Sequence, residues 1–211
     1  MNITIIGAGN MGRAIATRAV AGRHQVRVVD HNPAKAAELA SELDENPDND
    51  VKAGDTSAIN HADVVVLALK YPATVELAAE YRDALAGKVV IDIANPADFT
   101  TFDPITAPDT SAAEEVAAAL PDAYVVKAFN TTFAAPLIEG HVDDQPLDVL
   151  VAGDNDSAKA TVTDLLVSAR LHPIDVGPLR RARALETFQI MHMSLQQART
   201  NPWHSAIFIA G

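Results

Sequence analysis

Close to its start, the chain carries a glycine-rich loop, Gly7-Ala8-Gly9-Asn10-Met11-Gly12. It lies between an apolar run that predicts a β-strand and an Ala-rich stretch that predicts a helix. In this context the first glycine allows a tight turn, the second lets the backbone approach a phosphate, and the third lets helix and strand pack closely. The helix would also direct free N–H groups at an anion. The spacing therefore predicts a dinucleotide site, and the alternative is an ordinary glycine turn without a ligand.

Short apolar runs alternate with longer amphipathic runs through the first part of the chain. The run from Val64 to Leu69 is apolar throughout, which is typical of a parallel strand that helices cover on both faces. Alternation of this kind predicts an α/β fold, a doubly wound parallel sheet of the Rossmann type. We predict strands at 3–6, 25–30, 51–53, 63–69, 88–93 and 124–128, helices at 11–21, 33–43, 74–85 and 111–120, and a polar turn at 45–50.

The pattern changes after residue 135. We predict strands at 147–152 and 173–176, helices at 157–169 and 179–199, and a closing apolar segment at 205–210. The closing segment either packs at a dimer interface or forms an internal edge strand. These elements predict a Rossmann domain at 1–135 and a small C-terminal α+β lobe at 136–211 that completes the cleft.

The composition narrows the classes of partner. The 211 residues include 16 basic and 28 acidic side chains, so the net charge is −12 with His neutral. This charge disfavours nucleic acid and anionic membrane surfaces as partners. The chain has no cysteine, which excludes disulfides, thiolate metal sites and Cys nucleophiles and fits a cytoplasmic protein. No apolar stretch reaches the roughly 18 residues of a transmembrane helix. We therefore expect a cytoplasmic protein that acts on a small molecule.

The cofactor's ribose end is less clearly specified by the sequence. Asp30 ends the second predicted strand, where a carboxylate would accept hydrogen bonds from the ribose and repel a 2′-phosphate, which favours NAD. His31 and Lys35 follow closely and could instead neutralise the 2′-phosphate of NADP. All three could also be solvated loop residues. These three residues are therefore compatible with either NADP or NAD as the cofactor.

Four motifs carry a resemblance to a known family. They are Gly7–Gly12, Val125–Thr131 (Val-Val-Lys-Ala-Phe-Asn-Thr), Val151–Asp156 and Asp175–Leu179, and they occur in the family's order. With them the chain resembles the NADPH-dependent coenzyme F420 reductases, small oxidoreductases with a Rossmann domain and a short C-terminal lobe. It is also similar to the cytosolic domain of the six-transmembrane metalloreductases. The resemblance implies NADP as cofactor, a flavin or deazaflavin as second substrate, and a homodimer. The pair Asp30-His31 departs from the Ser-Arg type that the family usually carries there.

The resemblance also implies where ligands lie, at the carboxyl ends of the predicted strands, where α/β sheets bind them. Asn130, Thr131 and Thr132 would hydrogen-bond the substrate, although they could equally be a turn cluster. The cofactor residues predicted above are the glycine loop, with Ala8, Asn10 and Met11, and the ribose group Asp30, His31 and Lys35. The resemblance adds Leu69, Lys70, Tyr71, Asn95, Pro96 and Ala128 as cofactor residues.

The sequence shows neither an acid–base triad nor a cluster of metal ligands. Hydride transfer between a nicotinamide and a flavin-like ring needs neither, because stacking and exclusion of water suffice. His192, in phase with Leu185, Phe188 and Leu195, is interpreted as a packing or cleft-lining residue, and Met191 and Met193 as packing residues. No catalytic residue is assigned.

We therefore predict an NAD(P)H-dependent oxidoreductase that passes hydride to a flavin, a deazaflavin or a small organic acceptor. The alternative is a non-catalytic dinucleotide-binding or redox-sensing protein, which a plugged cleft beside the nicotinamide would favour. A third possibility is an imine or 2-hydroxyacid dehydrogenase, but such enzymes usually need a larger helical domain.

Overall fold

One mixed β-sheet forms the centre of the protein. The computed structural model describes residues 1–44, 46 and 49–209. The strands of this sheet are β1 (Asn2–Ile6), β2 (Gln25–Val29), β3 (Asp50–Ala53), β4 (Val64–Leu67), β5 (Val89–Asp92), β6 (Tyr124–Lys127), β9 (Asp148–Gly153) and β10 (His172–Gly177). They lie in the order β10-β9-β6-β5-β4-β1-β2-β3, and every pairing is parallel except that of β6 with β9.

Helices cover both faces of the sheet. The helices are α1 (Asn10–Ala21), α2 (Pro33–Leu43), α3 (Ala73–Glu80), α4 (Arg82–Leu85), α5 (Ala112–Ala119), α6 (Ala134–Glu139), α7 (Asp156–Ser168) and α8 (Ala182–Ser194). On one face α1, α2, α6 and α7 bury an apolar cluster, and on the other α3, α4 and α5 bury a second one. This three-layer arrangement confirms the predicted doubly wound Rossmann-type α/β fold.

The C-terminal strands extend the same sheet. β9 pairs antiparallel with β6, where Val126 lies opposite Gly153, and β10 pairs parallel with β9. A short hairpin of β7 (His141–Val142) and β8 (Gln145–Pro146) precedes them. The division into a domain at 1–135 and a lobe at 136–211 stays a prediction.

Two predicted helices are interrupted. The helix at 74–85 stops at Glu80 and resumes at Arg82. The long helix at 179–199 is wrong as a single element, because 3-10 turns at Leu179–Arg181 and Leu195–Ala198 flank α8. At the end of α8 the Gln196 side-chain amide donates to the His192 carbonyl, while the Arg199 N–H bonds to the Gln196 carbonyl. These i+3 and side-chain bonds replace the α-helical pattern there.

After the 3-10 turn that follows α8, the chain runs back across the protein without regular structure. Ala206 and Phe208 pack against the larger core cluster, and the Ile209 N–H donates to Asp148 at 2.6 Å. No strand forms at 205–209, so the edge-strand alternative fails there; residue 210 and part of the predicted turn at 45–50 (residues 45, 47 and 48) lie outside the described residues. In the described part of the chain, none of the helices has the length and apolar character needed to cross a bilayer.

Candidate active site

The glycine loop joins β1 to α1 and leaves its middle open. At Gly7, where φ is +113°, an added Cβ would lie 2.4 Å from the Ala68 carbonyl oxygen. At Gly12 it would lie 1.8 Å from the Gly7 carbonyl oxygen, so a methyl group cannot fit between helix and loop. At Gly9 nothing lies within 4 Å. Two glycines are thus required by the protein's own backbone, whereas the open face at Gly9 is free for a ligand.

The amino end of α1 offers unpaired amides. Gly9 is the N-cap and has no side chain to cap the helix, and the first intrahelical bond runs from the Arg13 N–H to the Gly9 carbonyl at 2.9 Å. The N–H groups of Asn10, Met11 and Gly12 therefore precede the helical bonding pattern, and the first turn carries no acidic side chain. Bare amides with the positive end of the helix dipole suit a diphosphate group.

Asp30, the residue that follows β2, hydrogen-bonds this loop and holds it in place. Its carboxylate accepts the Ala8 N–H at 2.8 Å and the Asn32 N–H at 2.9 Å, and its side chain is only 7% exposed. Burial would raise the pKa of Asp30, but the two N–H donors, with His31 and Lys35 nearby, outweigh burial and lower it. His31 is 88% exposed and contacts the same carboxylate at 3.1 Å. The structure thus turns the predicted ribose carboxylate toward the loop and leaves His31 and Lys35 on the surface.

A cavity of about 330 Å³ opens beside the loop at the carboxyl ends of β1, β4 and β5. This volume is at the lower end of the range for small-molecule sites. Of the residues predicted from sequence, it is lined by Gly9, Asn10, Met11, Leu69, Lys70, Asn95 and Thr132. The rest of the lining was not predicted from the sequence and consists of Ala68, Ile93, Ala94, Phe99, Phe133, Gln189, Met193 and Trp203.

Other predicted residues lie outside the cavity lining. The pKa of the Tyr71 phenol is raised by burial and by the nearby Glu115 carboxylate. Pro96 lines a separate small cavity, and Ala128 and Thr131 are buried. Gly7, Ala8 and Gly12 form the loop behind the lining residues, and Asp30, followed by His31 and Lys35, contacts this loop at Ala8.

Asn130 acts on the cavity through Asn95. Its side-chain amide donates to Asn95 Oδ1 at 3.0 Å, and Asn95 Nδ2 donates back to the Asn130 backbone carbonyl at 2.9 Å. Asn130 itself is buried, so it holds Asn95 in place behind the lining. Thr132 does line the cavity, with its hydroxyl donating to the Phe129 carbonyl at 2.8 Å.

An aromatic wall faces the glycine loop across the cavity. Phe133 and Trp203 meet edge to face with ring centroids 5.3 Å apart, and the Lys70 ammonium lies 5.3 Å from the centre of the Phe99 ring. Met193 of α8 joins this wall. The aromatic residues of this wall come from distant parts of the chain: Phe99 follows β5, Phe133 follows β6 and Trp203 follows α8.

A buried ion cluster ties α8 to the sheet behind the cavity. Lys127 Nζ donates to Asp92 at 2.7 Å and to Glu186 at 2.6 Å, and Glu186 accepts the N–H groups of Ala112 and Ala113. Burial opposes the charge on Lys127, but the two carboxylates outweigh burial and raise the pKa of the lysine. Burial also raises the pKa of Glu186, against the opposing effect of Lys127. Lys127, in one of the four sequence motifs, thus fixes the helix that carries Gln189 and Met193.

The chemistry of the lining is simple. Lys70 is the one ionisable side chain among the cavity-lining residues in the described part of the chain, and the rest are apolar or carry amide or hydroxyl groups. Within the same described residues, no group of three or more His, Asp or Glu side chains is arranged to hold a metal ion. The cavity can bind and orient a planar ligand next to the bare amides of α1, and it is open rather than plugged.

Comparisons with known proteins agree with this geometry. The sequence model of the family described as NADP oxidoreductase, coenzyme F420-dependent, matches residues 2–96. The F420-dependent NADP reductase of Methanocaldococcus jannaschii is 30% identical over 200 residues, which cover 88% of each protein. A proposed F420-dependent NADP reductase of known structure, from Arthrobacter sp. fb24, is 28% identical with a TM-score of 0.80 and covers 95% of this chain and 96% of its own.

Metalloreductase STEAP3 of Rattus norvegicus is 31% identical over 191 residues, which are 89% of this chain. The match spans only 36% of that longer protein. Both resemblances noted in the sequence are confirmed by these relatives. The protein is an NAD(P)-dependent oxidoreductase, and it belongs to the family of F420-dependent NADP reductases.

Proposed function

We propose that the protein transfers hydride between NADP(H) and a planar flavin- or deazaflavin-type acceptor in the cavity beside the glycine loop. The observation that carries the proposal is the continuity of that cavity, from the bare amides of α1 to the aromatic wall of Phe99, Phe133 and Trp203. In the reducing direction NADPH gives up one hydride, the acceptor gains that hydride and one proton from water, and NADP⁺ is left.

The residues on this path have separable roles. The N–H groups of Asn10, Met11 and Gly12 would hold the diphosphate, and the cofactor supplies the hydride when bound. Leu69 and Asn95 would position the nicotinamide half at the ends of β4 and β5. The aromatic wall would keep water out and let two planar rings stack, which is the main requirement for direct hydride transfer.

NADP is proposed over NAD. Asp30 accepts the backbone N–H groups of Ala8 and Asn32 and its side chain is only 7% exposed, so little of its carboxylate is accessible to a ribose. The exposed His31 and Lys35 are left to meet a 2′-phosphate. The M. jannaschii relative is named as an NADP reductase, which agrees with this preference.

The test is an anaerobic assay of NADPH oxidation with coenzyme F420 or FMN as acceptor, repeated with NADH. We expect turnover with at least one acceptor and kcat/KM about tenfold or more higher for NADPH, since one favourable charge–phosphate contact suffices for that ratio. Cofactor binding without turnover on either acceptor would favour the non-catalytic sensor instead. Failure to bind either nucleotide would overturn the dinucleotide assignment.

The binding roles predicted for Tyr71, Pro96, Ala128, Asn130 and Thr131 stay predictions. A cytoplasmic location is also proposed, with support from the cysteine-free composition.

A homodimer is proposed on the exposed face of α8. Phe188 and Met191 of α8 are 38% and 52% exposed, and Leu195, which begins the 3-10 turn after α8, is 56% exposed. Their spacing places them on one side. Of the residues in phase with His192, Leu185 is buried, whereas Phe188 and Leu195 are exposed. The interpretation of Met191 as a packing residue was wrong, because its side chain is exposed as well. An apolar stripe of this kind is typical of a protein–protein contact.

Met191→Lys would place a charge in the stripe. Analytical ultracentrifugation at micromolar protein should show a dimer for the wild type and a monomer for the variant, because a desolvated charge opposes association. Glu80→Lys, an exposed change on α3, is the control. A monomeric wild type would refute the dimer.

A further inference from the structure

A chain of hydrogen bonds lies behind the cavity. At one end of this chain, backbone groups determine which atoms donate and which accept. The Gln196 side-chain amide donates from Nε2 to the His192 backbone carbonyl at 3.0 Å, and Gln196 Oε1 accepts the Trp203 backbone N–H at 3.0 Å. A backbone carbonyl can only accept and a backbone N–H can only donate. The orientation of the Gln196 amide is therefore determined.

This orientation determines where the Ser205 proton goes. Ser205 Oγ lies 3.2 Å from Gln196 Oε1 and 2.8 Å from His192 Nε2. Because Gln196 Oε1 can only accept, the hydroxyl donates its one proton to that oxygen. Ser205 Oγ must then accept the second bond, so His192 Nε2 carries a hydrogen.

The position of the hydrogen on His192 in turn determines the orientation of the Gln189 amide. Burial, with the charge of Arg199, lowers the pKa of His192, so the ring is neutral near pH 7 and has one N–H. With that hydrogen on Nε2, His192 Nδ1 is an acceptor. The Gln189 atom placed 3.1 Å from Nδ1 is the side-chain oxygen Oε1. Two acceptors cannot share a hydrogen bond, so the network is satisfied only when the Gln189 amide is turned end for end and its NH₂ group faces Nδ1.

The other end of Gln189 faces the ligand space. Gln189 lines the cavity beside Met193 and Trp203, and its second amide atom has no partner among the described residues. His192 is held from the other side by Phe133, with ring centroids 4.7 Å apart. One end of the Gln189 side-chain amide is therefore hydrogen-bonded to His192, and the other end is available to a ligand in the cavity.

We propose that Gln189 presents its carbonyl oxygen to the cavity and recognises an N–H donor on a planar heteroaromatic ligand, with His192 as the positioning residue that sets the direction of the amide. The inference rests on the proposed function of the cavity. Two ligands carry such a donor: the carboxamide of a nicotinamide and the ring N–H of a flavin-type acceptor. Both are arms of the test.

The first measurement needs no variant and no ligand. Long-range ¹H–¹⁵N NMR of His192 in the wild-type protein should show the neutral tautomer with hydrogen on Nε2. A hydrogen on Nδ1, or a doubly protonated ring at pH 7, would turn the Gln189 amide around and overturn the proposal.

The second measurement compares ligands with and without the donor, by binding alone. NADPH is compared with its 3-acetylpyridine analogue, which lacks the carboxamide N–H, and lumiflavin is compared with 3-methyllumiflavin. For one of these pairs the wild type should prefer the donor-bearing member by about tenfold, the effect of one hydrogen bond in a desolvated site.

Gln189→Met should remove that preference, whereas Gln145→Met on the exposed β8 should keep it. If Gln189→Met leaves both preferences as they are in the wild type, or if the wild type shows neither, the proposal is wrong. Binding can succeed without turnover, so failure of the hydride-transfer assay is distinguishable from failure of this inference.

Discussion

Gly9 and Gly12 lie in the same loop, yet a methyl group would meet different surroundings at the two positions. At Gly12 it would collide with the Gly7 carbonyl at 1.8 Å, whereas at Gly9 it would meet nothing within 4 Å. Gly12→Ala should therefore cost about 3 kcal/mol of unfolding free energy through overpacking. Gly9→Ala should cost less than about 0.5 kcal/mol but weaken NADPH binding by tenfold or more, because only the diphosphate needs that space.

Urea denaturation and calorimetric titration separate these two effects. Gly54→Ala is the matched control, since its Cβ would make an ordinary 3.5 Å contact with Ala58. Equal loss of stability in the Gly9 and Gly12 variants would contradict the assignment of separate roles.

Asp30 makes the loop sensitive to acid. Because the pKa of Asp30 is lower in the folded protein than its ordinary value of 3.8, its ionised form stabilises the fold above that value. This stabilisation is lost as the pH falls through the folded pKa. Asp30→Asn should cost about 1–2 kcal/mol at pH 7, the scale of a charge-assisted hydrogen bond, and the difference from wild type should shrink below about pH 4.

Stability measured against pH, with the exposed change Asp83→Asn as reference, tests this. A gap between wild type and Asp30→Asn that stays constant down to pH 2 would show that the carboxylate does not brace the loop.

At the scale of elements, the Lys127 cluster joins β5, β6, α5 and α8. Lys127→Met would leave Asp92 and Glu186 buried beside each other without their cation. We expect a loss of about 3–5 kcal/mol in unfolding free energy, the usual cost of breaking a buried ion pair on one side. Arg183→Met, which breaks the more exposed pair with Glu114, should cost much less, because solvent screens that pair.

Combining Lys127→Met with Glu186→Gln and Asp92→Asn should recover part of the loss, because no unpaired charge then stays buried. Chemical denaturation of the single and triple variants measures both the loss of unfolding free energy and its recovery. If Lys127→Met costs no more than Arg183→Met, the cluster is not what holds α8 to the sheet.

At the scale of the whole molecule, the sheet continues across residue 135. A fragment of residues 1–135 would expose the edge of β6 that β9 covers and would leave Lys127 without Glu186. It would also lose Gln189, Met193 and Trp203 from the cavity. We expect the fragment to associate or to unfold at much lower urea than the full chain, and to bind NADPH more weakly. Circular dichroism and size-exclusion chromatography test this. A monomeric fragment as stable as the full chain would make 1–135 an independent domain.

The sequence by itself determined the fold and one half of the site. The glycine spacing, the apolar run of β4 and the alternation of strands with helices are local patterns, because strand and helix periods and turn geometry depend on neighbouring residues. They predicted the doubly wound sheet and the glycine loop with Gly9. Leu69, Lys70 and Asn95 were implied by the family resemblance, in agreement with their place at the carboxyl ends of parallel strands.

Only the tertiary structure decided the other half. Gln189 and Trp203 reach the cavity because α8 and the segment after it fold back over the sheet, and no local period encodes that return. The same holds for Lys127, whose charge is stabilised by Glu186 from a distant helix, and for Asp30, whose carboxylate turns to the Ala8 N–H. Contacts between residues far apart in the chain depend on the packing of whole elements, and this packing placed Gln189, Met193 and Trp203 in the cavity lining.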